Sequence, residues 1–120
     1  MWIWDQNAGT LSRDGIVVSR GYAGNGRGVN NPTMQAAKGI GPIPAGHYTM
    51  TQIRDSANTG PRTIALQPSE LTQTFGRGDF RIHGDNRMGN RSASHGCIIL
   101  PRDVREKIWA SRDRALQVVP

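Results

Sequence analysis

The sequence predicts a mostly β fold, a compact sheet or sandwich with one short helix near the C-terminus. Three observations predict it. Fifteen glycines and seven prolines punctuate the 120 residues, a spacing that suits short strands and leaves almost no room for long helices. Apolar residues make up 36% of the chain and fall in strand-sized runs, so disorder is excluded. Apolar residues recur at helical spacing in one convincing place, Leu100, Val104 and Ile108, with Trp109 widening the stripe. The length suits one hydrophobic core, and a single domain over residues 1–120 is expected.

Taken in order, Trp2–Asp5 and Gly15–Tyr22 read as a hairpin around Ser12-Arg13-Asp14-Gly15, with Asp-Gly at the bend. Gly24–Pro32 is a Gly/Asn loop, and no Gly-Lys-Ser/Thr follows it to make a phosphate loop. Met34–Lys38 has room for one helical turn. The glycines and prolines of Gly39–Gly46 then enforce a kinked, extended passage into a strand over His47–Ile53. Thr63–Gln67, bounded by Gly60-Pro61 and Pro68, is the next strand. Phe80-Arg81-Ile82-His83 alternates, which turns Phe80 and Ile82 to the core and Arg81 and His83 away from it. Beyond Pro101 the stripe predicts a helix over about residues 101–111, with Arg102, Asp103, Arg105, Glu106 and Lys107 solvated. Ala115–Val119 closes the chain as a last strand.

Composition removes several function classes. Runs such as Ile98–Leu100 fall far short of the roughly 20 apolar residues of a membrane-spanning helix, so membrane insertion is not expected. One cysteine, Cys97, cannot form an internal disulfide and must be a filler, a ligand or a nucleophile. Fifteen Lys and Arg against nine Asp and Glu give a net charge of +6, and thirteen of the cations are arginines. The excess favours anionic partners, although a generally solvated basic surface accounts for it too, since no run of like charges occurs. Met1–Gln6 shows neither the basic nor the apolar region of a secretory signal, so synthesis in the cytoplasm is expected.

The chemistry concentrates in Arg81–Asn86 and Ser94–Leu100. If Ser94–Leu100 enters a strand, alternation puts His95, Cys97 and Ile99 on one face and turns Ile98 and Leu100 to the core. A neighbouring strand ending at His83 could bring an imidazole beside the sulfur. That pairing is what cysteine acyl transfer requires: an imidazole partner and nearby cations, here Arg81, Arg87 and Arg91, lower the thiol pKa. Gly96 permits tight backbone approach, so the amides of Gly96 and Cys97 could face a developing oxyanion. A cysteine among isoleucines also fits a buried small hydrophobe. A zinc site built from His47, His83, His95 and Cys97 is the weaker alternative, because neither C-x-x-C nor H-E-x-x-H occurs.

His83-Gly84 followed by Ser94-His95-Gly96-Cys97-Ile98 resembles the signature of YkuD-like L,D-transpeptidases. Gly41–Tyr48 is similar to the strand-entry segment of that family. The layout of nearly the whole chain resembles the short L,D-transpeptidase-like domain of type VI secretion effectors. Trp2-x-x-Asp5-Gln6, Gly21-Tyr22, Asn30-Asn31-Pro32, Met34-Gln35, Phe75-Gly76-Arg77 and Gly96–Pro101 carry that likeness.

The resemblance implies an L,D-transpeptidase-like β-sandwich with Cys97 as nucleophile, His83 as base and the Gly84 carbonyl orienting the imidazole. It also implies that Ser94 and His95 line the cleft, that Gly96 and Cys97 form the oxyanion site, and that Arg81, Arg87 or Arg91 recognises a substrate carboxylate. Ile99 departs from the polar residue usual in the broader family. The implied substrate is the tetrapeptide stem of peptidoglycan, trimmed, crosslinked or exchanged with a D-amino acid, with no metal or organic cofactor. The implied setting is an antibacterial toxin of the type VI secretion apparatus, acting in a target cell's periplasm and matched by an immunity protein. The alternative from another class is a non-catalytic binding module for anionic cell-wall polymer or nucleic acid. The scarcity of aromatics among the basic residues speaks against nucleic acid.

Overall fold

A computed structural model describes residues 1–85 and 94–120. The strands are β1 (Trp2–Asp5), β2 (Thr10–Arg13), β3 (Ile16–Arg20), β4 (Tyr22–Ala23), β5 (Gly46–Ser56), β6 (Gly60–Pro68), β7 (Arg81–His83), β8 (Ile98–Ile99) and β9 (Ala115–Val119). Helix α1 spans Arg102–Ala110, and the fold is mostly β with this one α-helix among the described residues. The strands form one sheet in the order β3-β2-β1-β9-β5-β6-β7-β8-β4. Neighbours are antiparallel except β1 beside β9 and β7 beside β8.

The order of the strands forces the sheet to curl. β3 and β4 are its opposite edges, yet only Gly21 separates them in the chain. The two edges must therefore lie together, and the sheet nearly closes into a barrel. Gly21 is the seam: its amide donates to the Gly9 carbonyl at 2.9 Å, and a Cβ there would sit 2.1 Å from the Ile99 carbonyl oxygen. Trp2, Trp4, Leu11, Tyr48, Met50, Ile64, Phe80, Ile82, Ile98, Leu116 and Val118 fill the interior. Phe80 and Ile82 are buried as their alternation predicts.

Several expectations need correction. The first hairpin is a meander, because Thr10–Arg13 is itself a strand and Asp14-Gly15, both at positive φ, join it to β3. A single large apolar residue, Leu11, hides that strand in the sequence. The one-turn helix is a 3-10 turn at Pro32–Met34, earlier than Met34–Lys38, capped by the Asn31 side chain accepting from the Thr33 amide. The strand expected over Ser94–Leu100 shrinks to Ile98–Ile99, since Gly96 at φ +132° breaks its start. Ile99 is buried beside Ile98 instead of facing a cleft opposite it. Within α1, Val104 and Ile108 are buried as the stripe requires, but Arg105 is buried with them.

Candidate active site

Strand pairing places the two residues of interest on adjacent strands, two positions apart along the ladder. Ile82 pairs with Ile98 and His83 with Ile99 in the parallel β7–β8 ladder. Cys97 immediately precedes that ladder, level with Arg81, so Cys97 and His83 belong to the same alternating set on adjacent strands. The Leu100 amide donates to the His83 carbonyl at 3.0 Å, as the pairing of His83 with Ile99 requires.

His83 lies outside the apolar core cluster yet is only 5% exposed, so it is not turned openly to solvent. Its Nδ1 is 2.8 Å from the Gly84 carbonyl oxygen. A carbonyl can only accept, which puts the proton on Nδ1 and leaves Nε2 with a free lone pair in the neutral ring. Burial pushes the imidazole pKa below its ordinary 6.5; the Gly84 bond and Asp85 oppose this, while Arg105 and Arg81 reinforce it. The ring is neutral and basic at pH 7.

Cys97 is half-buried, and its thiol donates to the Asp79 carbonyl at 3.5 Å. Burial raises its pKa above 9.0, against a hydrogen bond from the Arg81 backbone and the charges of Arg81 and Arg77. The expectation that cations would depress the thiol pKa is thus reversed, because desolvation of a thiolate outweighs them here. The resting pair is a neutral thiol and a neutral imidazole.

The Ser94–Gly96 turn departs further from expectation. Ser94 does not line a cleft: it is fully buried, donates to the Cys97 carbonyl at 2.6 Å and accepts from the amides of Gly24 and Gly96 at 2.9 and 3.0 Å. The Gly96 amide is therefore already engaged and does not face an oxyanion. His95 is exposed, with Nδ1 donating to the Gly39 carbonyl at 3.2 Å. Of the three arginines proposed for substrate, Arg81 is half-buried beside the sulfur, and Arg87 and Arg91 lie outside the described residues.

Two arginines escaped the sequence reading. Arg77 is 8% exposed; its Nη1 donates to the Pro42 carbonyl at 2.7 Å, and its Nη2 to the Gly41 and His95 carbonyls at 2.9 and 3.2 Å. A Cβ on Gly96 would stand 2.3 Å from that Nη2, so only glycine lets the guanidinium lie against the turn. Arg105 is the second, clasping carbonyls around His83. In sequence both look like ordinary surface charge. Their burial depends on distant carbonyls that no local pattern reveals.

Three depressions flank this region, and Cys97 lines none of the three. A cleft of about 400 Å³ is lined by Ala57–Gly60 with His83, Gly84 and Asp85. Asp79, whose carbonyl meets the sulfur, is shared by two more: a groove of about 420 Å³ with Arg54 and Arg81, and a recess of about 240 Å³ with Lys38, Arg77 and His95.

The model of the Tlde1 domain matches residues 18–119, which include every element from β4 onward and the whole Cys97–His83 arrangement. The chain belongs to the Tlde1 domain family. It is a family of type VI secretion effectors, so a secretion apparatus and an immunity protein accompany its members. No curated protein matches the sequence. Among the described residues of this Tlde1 domain, no helix is long and apolar enough to cross a membrane.

Proposed function

We propose that this Tlde1 domain is a cysteine acyl-transfer enzyme acting on the tetrapeptide stems of peptidoglycan, as an L,D-carboxypeptidase, an L,D-transpeptidase, or both. The observation that carries the reading is the His83 Nδ1 contact with the Gly84 carbonyl, on a strand paired with the one Cys97 enters. That bond puts the proton on Nδ1 and leaves Nε2 able to take one, as a general base requires.

The thiol proton passes to His83 Nε2 as sulfur attacks the carbonyl between the L-centre of the diamino acid and the terminal D-Ala. Negative charge develops on that carbonyl oxygen. With the Gly96 amide engaged by Ser94, the Cys97 amide takes the oxyanion role, supported by the nearby Arg81 and Arg77 cations. Collapse of the tetrahedral species breaks the C–N bond, the imidazolium returns its proton to the departing D-Ala amine, and a thioester to Cys97 remains. Water then releases a tripeptide stem, a second stem makes a crosslink, and a D-amino acid gives exchange. Stem peptides carry free carboxylates, and Arg54 and Arg81 in the groove suit them. Delivery into a target cell's periplasm would bring the enzyme to this substrate.

The test is incubation of pure protein with tetrapeptide muropeptides, with products read by mass spectrometry. Loss of D-Ala by the wild type and none by Cys97→Ala is expected. Equal turnover by both would refute the assignment.

A further inference from the structure

Arg105 sits in the middle of α1, where its charged neighbours face solvent, yet it is only 4% exposed. A buried guanidinium is costly unless its donors find acceptors. Those acceptors are backbone carbonyls from two separate segments: Nε donates to Leu100 at 3.1 Å, and Nη1 to Pro61 and Arg62 at 2.5 and 2.9 Å. Nη2 lies against Gly84, where a Cβ would be 2.8 Å away from it.

Two of these contacts bear on the imidazole. Leu100, held through its carbonyl by Arg105, donates its own amide to the His83 carbonyl at 3.0 Å. Gly84, which Nη2 packs against, supplies the carbonyl that accepts from His83 Nδ1. One side chain thus fixes the backbone that holds His83 on two sides. A residue with any side chain at position 84 would displace the guanidinium, which ties the glycine to the arginine rather than to a turn.

We propose that Arg105 is a positioning residue for His83, its planar fork holding Gly84 so that the Gly84 carbonyl stays aimed at Nδ1 and Nε2 stays the basic nitrogen. The proposal rests on reading His83 as the base. The Arg105 charge works in the same sense as the fork. Burial, Arg105 on α1 and Arg81 on β7 favour the neutral ring, against the Gly84 carbonyl and Asp85 beyond the strand. A lysine would keep the charge and lose the fork; a methionine would lose both.

The test is NMR titration of the His83 ring in wild type, Arg105→Lys and Arg105→Met, beside steady-state kinetics on muropeptides well below each protein's melting temperature. Arg105→Met should titrate at higher pH than wild type and lose about 10- to 100-fold in kcat with little change in KM, as expected for a misplaced base. Arg105→Lys should titrate near wild type and still lose kcat. A folded Arg105→Met with wild-type titration and wild-type kcat overturns the proposal. Should Arg105→Met fail to fold, wild-type kcat in Arg105→Lys overturns it, and reduced kcat at unchanged KM supports it. The ring tautomer, read from the His83 nitrogen shifts, needs no substrate: if the wild type leaves muropeptides intact while Arg105→Lys loses the Nδ1-protonated form that the Gly84 carbonyl fixes, the positioning role is supported and the substrate reading fails.

Discussion

Replacing Ser94 by alanine removes one buried hydroxyl that ties three backbone groups together. The hydroxyl donates to the Cys97 carbonyl and accepts from the Gly24 and Gly96 amides, and the side chain is wholly buried. Alanine leaves two buried N–H groups without their acceptor. Each costs about 1–3 kcal/mol when unsatisfied, so the pair amounts to about 2–6 kcal/mol. Slight collapse of the turn into the space left by the oxygen recovers part of this, and about 2–4 kcal/mol is expected. Against a total stability of about 5–15 kcal/mol the loss is large. At about 4 °C per kcal/mol for a chain of this size, the melting temperature should fall by roughly 8–16 °C. Urea melts and calorimetry measure it. A loss below about 0.5 kcal/mol would refute the view that Ser94 is a buried tie rather than a cleft residue.

Three further outcomes follow from the same geometry. Cys97→Ala and His83→Ala should each lose more than about 100-fold in D-Ala release while melting cooperatively, whereas His95→Ala, whose exposed ring meets the Gly39 carbonyl and the Asn25 amide, should weaken activity modestly; kinetics on muropeptides separate them. Stability should depend on pH at both ends. His83 has a depressed pKa in the folded state, so its contribution is present above 6.5 and is lost as pH falls below it; Cys97 has a raised pKa, so its contribution is present below 9.0 and is lost as pH rises above it. Melting temperature across pH should therefore plateau between these values, with the acid arm weakened in His83→Gln and the alkaline arm in Cys97→Ala. Gly21→Ala should cost more than about 3 kcal/mol or prevent folding, because its Cβ would enter the Ile99 carbonyl at the barrel seam; a wild-type melt would mean the two sheet edges do not meet there.

The sequence shows its elements wherever one local pattern is enough. Ala115–Val119 is a strand with the bounds its alternation gives, Trp2–Asp5 likewise, and α1 lies within its predicted range because Val104 and Ile108 mark it. Thr10–Arg13 escapes because a single buried residue, Leu11, leaves no period to read, and its partners on both sides are what make it a strand. Closure of the sheet is equally invisible, since it follows from pairings between residues far apart in the chain. At the site, the pairing of the strand that ends at His83 with the one that follows Cys97 is legible from the sequence pattern. The sign of the thiol shift is not: it depends on how deeply the sulfur is buried, and arginine counts cannot supply that. Ser94, Arg77 and Arg105 look like polar surface residues until backbone carbonyls and amides from remote segments close around them.

Acyl transfer through Cys97 requires a covalent bond to one sulfur. Wild-type protein mixed with tetrapeptide muropeptide, quenched in acid within the first turnover and measured by intact-protein mass with peptide mapping, tests it most directly. A single added mass equal to the stem less its D-Ala, mapped to Cys97 and absent from Cys97→Ala, is expected. D-Ala release with no adduct at any time, or an adduct elsewhere than Cys97, would contradict it.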